Sequence, residues 1–545
     1  MHALMMDRPL TLPSILEYAA QYHGQREIVT RTLEGPIHRY GYADALARAK
    51  RMANALTAMG VKPGDRVATL AWSTYRHFEL YYAVSGIGAI LHTINPRLFP
   101  DQVAWIANHA EDSVLLYDPG FEDLSDLLAA KVPSLKTRVV MCDAANRPAG
   151  TPGDVLNYED LIDANSPEFI WPEIDERMAS ALCYTSGTTG NPKGVLYGHR
   201  STVLHSLAVR APDIYDVAQR DVILPCAQLY HANAWCIPYV GPMAGAKIVF
   251  PGRFLDGPSV CELAIAEKAT FILGVPIIFQ GMLDHLDATG QEITTLRTLI
   301  IGGSAPTPAL IRRVESKLNV SIRQGWGMTE MSPNGVMNTA LHSHGDMTPD
   351  DIIARKQKAG RAQWGVDLRI VDDEDNELPR DGVTPGRLQV KGPWVASSYF
   401  KGDGPSAFTA DGWFDTGDVG ALDPEGYLRL TDRAKDVIKS GGEWISSLDL
   451  ENACSTHPAV ALSAAIGVYH PKWDERPLLL VMLKPGETAT PDEIKDHVAA
   501  QVAKWWIPDE VRIVESLPIG PTGKVMKREP RDQIGVATPL KVTQG

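Results

Sequence analysis

Four Ser/Thr hydroxyls, three glycines and one lysine fall within eleven residues of this chain, Tyr184-Thr185-Ser186-Gly187-Thr188-Thr189-Gly190-Asn191-Pro192-Lys193-Gly194. Glycines let backbone amides come close to an anion, and hydroxyls add further donors. Thr and Ser oxygens also suit a hard cation such as magnesium. The combination predicts a loop that holds a polyphosphate. It is not a Walker A loop: counted from Gly187, the place of the second glycine in G-x-x-x-x-G-K-S/T holds Pro192. Downstream stand further groups able to do chemistry, among them Glu330, Asp418, Arg433 and Lys524. In Tyr230-His231-Ala232-Asn233-Ala234-Trp235, a helical reading puts His231 and Trp235 on one face, four residues apart.

These groups act together only if a fold gathers them, and the chain is long enough to do so. Its 545 residues exceed one compact domain and predict two or more. A hydrophobic fraction of 44% and a charged fraction of 22% are ordinary for a globular protein. A formal charge of −14 argues against nucleic-acid binding as the main activity. Cys142, Cys183, Cys226, Cys236, Cys261 and Cys454 are scattered, with no C-x-x-C pair and no metal spacing, which suits free thiols in a reducing compartment. No run of about 18 apolar residues predicts a membrane span. Met1–Glu27 lacks the apolar core of a signal peptide and reads as a leader followed by a capped helix from Ser14, so a cytoplasmic location is expected.

Helix and strand patterns alternate through the first two thirds. Tyr42–Met59 and Ser73–Ala89 read as helices; Arg66–Ala71, Ile90–Ile94, Val114–Tyr117, Arg138–Cys142 and Met178–Cys183 read as strands. Thr202–Val209 reads as a helix, and Lys247–Phe250, Thr270–Gly274 and Leu299–Ile301 as strands. Such alternation predicts parallel sheets covered by helices, an α/β fold. After about residue 360 the texture changes. Asp367–Asp372 and Arg387–Lys391 alternate apolar and polar residues, which predicts a small antiparallel or barrel-like portion. The last block, with helices at Leu448–His457 and Pro491–Trp505 and strands at Ala461–Val468 and Leu478–Leu483, reads as a small α+β domain after a linker near 432–436.

Several motifs, in order, resemble those of the adenylate-forming superfamily and its AMP-forming acyl-CoA synthetases. The loop Tyr184–Gly194 resembles that family's phosphate loop, with Thr185, Ser186, Gly187, Thr188, Thr189, Gly190 and Lys193 on the nucleotide. Gly302-Gly303-Ser304-Ala305-Pro306 resembles the turn that packs on adenine and opens toward the acyl pocket. Gln324-Gly325-Trp326-Gly327-Met328-Thr329-Glu330 resembles the next motif; the resemblance implies that Thr329 meets the α-phosphate and that Glu330, with Thr185, holds magnesium. Gly412-Trp413-Phe414-Asp415-Thr416-Gly417-Asp418 resembles the ribose motif, in which Asp418 accepts from both hydroxyls. Asp432-Arg433-Ala434-Lys435-Asp436 resembles the hinge motif, implying a ribose contact for Arg433 and a pivot at Lys435. Gly441-Gly442-Glu443-Trp444 resembles the loop that enters the site for thioester formation, and Pro521-Thr522-Gly523-Lys524 the loop that carries the adenylation lysine. His231, Trp235, Gly302, Gly303 and Pro333 are expected around the acyl group, His231 as a gate near its carboxylate. One departure stands beyond Lys524: Pro530 falls where an apolar helix former is expected, and should end or kink the last helix.

The resemblance implies a large domain of parallel sheets, 1–434, with a barrel-like portion, and a small mobile domain, 435–545. It implies ATP, magnesium and coenzyme A as reactants and cofactors, a homodimer, and no nucleic-acid partner. Attack of a carboxylate on the α-phosphate of ATP makes an acyl-adenylate and pyrophosphate, and the CoA thiol then displaces AMP. Phosphoryl transfer is mostly positioning and charge neutralisation, which is what amides, magnesium and a lysine provide. An indole in the acyl tunnel shortens it, which favours acids of about butyrate to hexanoate length. The chain also resembles enzymes that take 3-methylthiopropionate, whose polarizable thioether suits an aromatic neighbour. Transfer to a carrier protein and a long-chain fatty acid substrate remain the alternatives.

Overall fold

Short apolar strands and Pro- or Thr-capped helices alternate along the first 340 residues, and the strands assemble into two large sheets. The computed structural model describes residues 4–185, 191–404, 407–433, 436–440, 443–519, 525–527 and 530–531. Ser186, Gly187, Thr188, Thr189, Gly190, Lys435, Gly441, Gly442 and Lys524 lie outside the described residues, as do the side chains of Arg433, Glu443 and Trp444.

The seven-stranded sheet runs in the order Leu156–Asn157, Thr137–Val140, Val114–Tyr117, Arg66–Leu70, Ile90–Thr93, Ala179–Tyr184, Gly194–Gly198. Every pair is parallel except the last, which is antiparallel. The nine-stranded sheet has a parallel centre, with Val222–Pro225, Phe271–Gly274, Thr298–Ile301 and Ile322–Gly327 side by side. These strands are four to six residues long; the first three are almost wholly buried, as parallel strands covered on both faces must be, and Ile322–Gly327 is buried at alternate positions. The helices that cover them start where the sequence allows it. Pro13, Pro100, Pro276 and Pro308 stand in first turns, where no N–H is needed, and the Thr307 hydroxyl accepts from Leu310 N at 3.2 Å.

The alternating segments after residue 360 form a four-stranded antiparallel sheet, Asp367–Val371, Gly386–Lys391, Phe414–Leu422 and Leu428–Arg433. Among the described residues, the C-terminal part has its own five-stranded sheet, with the helices Ser447–Ser455 and Pro491–Ala499. Its core, built from residues such as Ile438, Leu450, Leu479 and Ile494, is separate from the cores of the large domain. The expected α/β architecture with a smaller α+β domain is therefore present.

Two local expectations need correction. The first helix begins at Pro13 without a side-chain cap, and Ser14 Oγ instead donates back to Thr11 O at 2.6 Å. The late helix stops at Ala499 rather than Trp505, because Trp505 is drawn onto Trp473 (4.9 Å between centroids) and Arg476 (5.0 Å), which turns the chain. The last helix, on which Pro530 is expected to act, falls mostly outside the described residues; among those described, Arg531 N donates to Lys527 O at 3.1 Å.

The buried histidines give the fold an acid sensitivity. His77, His199 and His205 are essentially unexposed, and burial lowers them to about 4, about 4 and about 3. Each is neutral in the folded protein at pH 5 but protonated in the unfolded chain. The unfolded state thus binds more protons between pH 6.5 and about 4, and stability falls as pH falls through that window. Each such group contributes a slope of up to about 1.4 kcal/mol per pH unit. Urea midpoints at pH 7.5 and pH 5 should differ, and His205→Leu should shrink the difference. An unchanged difference in that variant removes His205 from the account.

Candidate active site

Four adjacent parallel strands of the nine-stranded sheet end at one cavity of about 2090 Å³. Cys226 and Ala227 follow the first, Val275 the second, Gly302–Ala305 the third, and Gln324–Thr329 come from the fourth and its continuation; all line the cavity. The carboxyl ends of parallel strands are where open α/β sheets bind ligands, because the connecting loops diverge there. The opposite wall comes from the small domain and the approach to it: Asp432, Asp436, Asp449, Glu451 and the segment Val525–Lys527. The volume exceeds the 300–1,000 Å³ typical of one small ligand, so there is room for a nucleotide and an acid together.

Among the described residues, most of those singled out by motif meet here. Gly302, Gly303, Ser304 and Ala305, the run 324–329, Pro333, Asp418, His231 and Trp235 all line the cavity. Pro306 does not. Gly303 needs its glycine: its φ is +81°. Trp326, nearly buried, donates from Nε1 to Asp418 Oδ2 at 2.9 Å, which aims the carboxylate from the antiparallel sheet toward the end of the parallel one. Asp418 pairs across its hairpin with Arg433, so the backbone of the two proposed ribose contacts is in register.

Thr185, Lys193 and Glu330 are not among the residues that line the cavity. Thr185 N donates to Lys193 O at 2.9 Å, and Lys193 N donates to Thr185 Oγ1 at 3.1 Å, closing the base of the loop. Glu330 is buried in the short turn Thr329–Met331, and its Oε1 accepts from the Tyr399 hydroxyl at 2.6 Å. Burial first, and the Glu330 carboxylate second, hold the Tyr399 phenol above its ordinary range, so it is the donor. Tyr197 donates to Thr329 O at 2.6 Å and fixes the backbone of the same turn.

The segment around His231 differs from its helical reading. Asn233, Ala234, Trp235 and Cys236 all have positive φ, between 45° and 73°, so the chain makes a left-handed turn. For residues other than glycine this conformation costs roughly 1–2 kcal/mol each. Such strain concentrates at functional sites. His231 and Trp235 therefore do not share a helical face. They meet the same cavity because the reversed turn redirects the indole; the Trp235 backbone carbonyl accepts from Tyr215 Oη at 3.3 Å. The indole lies against Gly302: a Cβ there would stand 2.8 Å from Trp235 Cη2. Burial first, and the Arg97 guanidinium second, push His231 down to about 4, so its ring is neutral near pH 7.

Two groups, Tyr399 and Lys527, were missed by motif reading. Tyr399 carries no recognisable pattern around it. Lys527 contacts Ser447 Oγ at 2.5 Å and Glu451 Oε1 at 2.7 Å, and Glu451 and Asp432 hold its ammonium charged although burial opposes it. Asp432 Oδ2 accepts from Ser447 N at 2.6 Å, which ties the approach to the hinge to the first helix of the small domain. The only signal for Lys527 is its place three residues after Lys524.

Comparison with known proteins agrees with this geometry. The model of the AMP-binding enzyme family matches residues 16–400, and that of the AMP-binding enzyme C-terminal domain matches 449–524. A medium-chain-fatty-acid–CoA ligase of Ectopseudomonas oleovorans is 45% identical over 532 residues, 97% of each chain. A 3-methylmercaptopropionyl-CoA ligase of Ruegeria lacuscaerulensis is 45% identical over 533 residues, covering 97% of this chain and 98% of that one. The crystal structure of ATP-bound MatB from Rhodopseudomonas palustris superposes with a TM-score of 0.82 at 27% identity, over 97% of this chain and 99% of that one. Strand-end cavity, nucleotide motifs and full-length similarity lead to one conclusion: the chain belongs to the AMP-binding enzyme family, as an acyl-CoA synthetase of the adenylate-forming superfamily.

Proposed function

We propose that this protein ligates a short- to medium-chain carboxylic acid, with 3-methylthiopropionate among the candidates, to coenzyme A through an acyl-adenylate. The observation that carries the chain-length reading is Trp235 packed on Gly302 in the cavity wall. An indole there limits depth, and its π-face suits a thioether. The similarity to ligases named for medium-chain fatty acids and for 3-methylmercaptopropionate supports the same reading.

The residue roles follow from chemistry and placement. The loop from Thr185 to Lys193 holds the β- and γ-phosphates, Asp418 and Arg433 the ribose, and Gly302–Pro306 the adenine. Thr185 and Glu330 offer a hydroxyl and a carboxylate, the hard oxygens that magnesium takes alongside phosphate ligands, so the donor set fits that ion. Magnesium bound there neutralises charge on the departing pyrophosphate. Thr329 donates to the α-phosphate, and Lys524 brings the substrate carboxylate up to it. His231, neutral, orients the acyl carboxylate by hydrogen bonding rather than by charge. The small domain, 435–545, then turns about Lys435 and brings Gly441–Trp444 to the site for thiol attack. A cytoplasmic homodimer completes the proposal.

Pyrophosphate release with ATP and an acid panel from C2 to C12, plus 3-methylthiopropionate, tests it, with CoA present and absent. The expected kcat/KM maximum lies at C4–C6 or at methylthiopropionate, with acyl-CoA formed only when CoA is added. A maximum at C12 overturns the short-tunnel reading. Acyl transfer to a carrier protein but not to free CoA overturns the ligase assignment.

A further inference from the structure

One side chain outside the motifs touches both of the groups proposed to hold the polyphosphate and its metal. Tyr399 lies in the connection between Gly386–Lys391 and Phe414–Leu422, two strands of the antiparallel sheet. Its hydroxyl donates to Glu330 Oε1 at 2.6 Å, and Lys193 Nζ lies 4.9 Å from its ring centroid. Glu330 follows a strand of the nine-stranded sheet, and Lys193 precedes a strand of the seven-stranded one. One phenol thus joins groups carried by three different sheets.

The ring is itself held. It is nearly buried and packs on Phe408 (5.4 Å between centroids) and Phe414 (6.3 Å). Its own segment leans on both partners. Ala396 N donates to Glu330 O at 2.8 Å, and Ser332 Oγ donates to Trp394 O at 2.9 Å. On the other side, a Cβ on Gly194 would stand 3.0 Å from Phe400 Cβ, and one on Gly404 would meet Lys193 Nζ at 2.5 Å. Gly404, at φ +58°, therefore leaves room for the lysine.

We propose that Tyr399 is a positioning residue for the metal and polyphosphate end of this site, fixing the Glu330 carboxylate with its hydroxyl and the Lys193 ammonium with its ring. The proposal rests on the assignment of Glu330 to magnesium and Lys193 to the phosphates. A neutral phenol is suited to the task for a stated reason. It orients a carboxylate without cancelling its charge, so the full negative charge remains for a divalent cation, whereas Arg or Lys in that place would compete with the metal. Partners that orient a metal-binding group in this way typically contribute about 10–100-fold to metal affinity. The ring face attracts the ammonium without a counter-charge that would oppose incoming phosphate.

The test separates the two contacts. Tyr399→Phe keeps the packing and the ring beside Lys193 but removes the donor; Tyr399→Leu removes both. Binding of a non-hydrolysable ATP analogue is measured by calorimetry across a magnesium titration and again in EDTA, with Glu330→Gln as reference. For Tyr399→Phe, the magnesium concentration that half-restores binding should rise about 10-fold or more, with affinity in EDTA essentially that of the unmodified protein. For Tyr399→Leu, affinity in EDTA should fall as well, because Lys193 loses its ring. If Glu330→Gln shifts the magnesium dependence and Tyr399→Phe does not, the positioning role is overturned while the Glu330 assignment stands. If neither shifts it, the assignment of Glu330 falls and takes this proposal with it.

Discussion

Lys524→Ala is expected to slow pyrophosphate release by roughly 10²–10³-fold or more, while synthetic acyl-adenylate is still converted to acyl-CoA within a few-fold of the normal rate. The reason is electrostatic. In the first half-reaction a carboxylate approaches an α-phosphate, and two anions come together only if a cation bridges them. In the second, a thiol attacks a carbonyl whose leaving group is already AMP, and no anions need to be joined. The base of the loop that carries Lys524 is anchored at the cavity. Ile519 bridges to Val525, Met526 N donates to Pro518 O at 2.8 Å, and Lys527 is clamped by Glu451 and Ser447. Val525, Met526 and Lys527 line the cavity wall opposite the parallel strand ends. Stopped-flow assays of the two half-reactions, run separately, check the expectation. Equal losses in both would end the idea that this lysine serves adenylation alone.

Trp235→Gly is expected to move the acyl preference toward longer acids. Removing the indole frees the space beside Gly302, so the ratio of kcat/KM for dodecanoate to that for pentanoate should rise by roughly 10–200-fold, the discrimination that one to a few methylenes of pocket typically confer. Glycine is the appropriate replacement because Trp235 sits at φ +51°, a conformation that glycine adopts without strain. Relief at the backbone then offsets part of the lost packing, and the variant should fold. The discriminating measurement is the shape of the chain-length profile. A uniform fall across all acids would mean that the indole supports the turn and does not set the length.

How much of this was legible beforehand depends on the range of the physical cause. The phosphate loop, the Gly302–Pro306 turn, the 324–330 run and the Asp418 turn were readable because each is a local arrangement of glycines, hydroxyls and carboxylates whose chemistry does not need the rest of the chain. The alternation of strands and helices was readable for the same reason, and the large domain follows it. The turn at 232–236 was not. Its residues include no glycine, and nothing local announces four consecutive left-handed residues. The helix ending at Ala499 rather than Trp505 is another tertiary override, since Trp505 is captured by Trp473 and Arg476 from a different strand.

Tyr399 and the Lys527–Glu451 pair show the same limit from the functional side. Tyr399 is 69 positions from Glu330 and more than two hundred from Lys193, and only the packing of three sheets brings the three side chains together. By itself, the sequence determined the reaction class, because the groups that handle nucleotide and carboxylate must be of particular types in particular local runs. The tertiary structure alone decided which strand ends meet, that the Trp235 indole lies against Gly302 in the cavity wall, and that Tyr399 contacts both Glu330 and Lys193. Those depend on distances between segments far apart in the chain, which packing sets and local pattern does not encode.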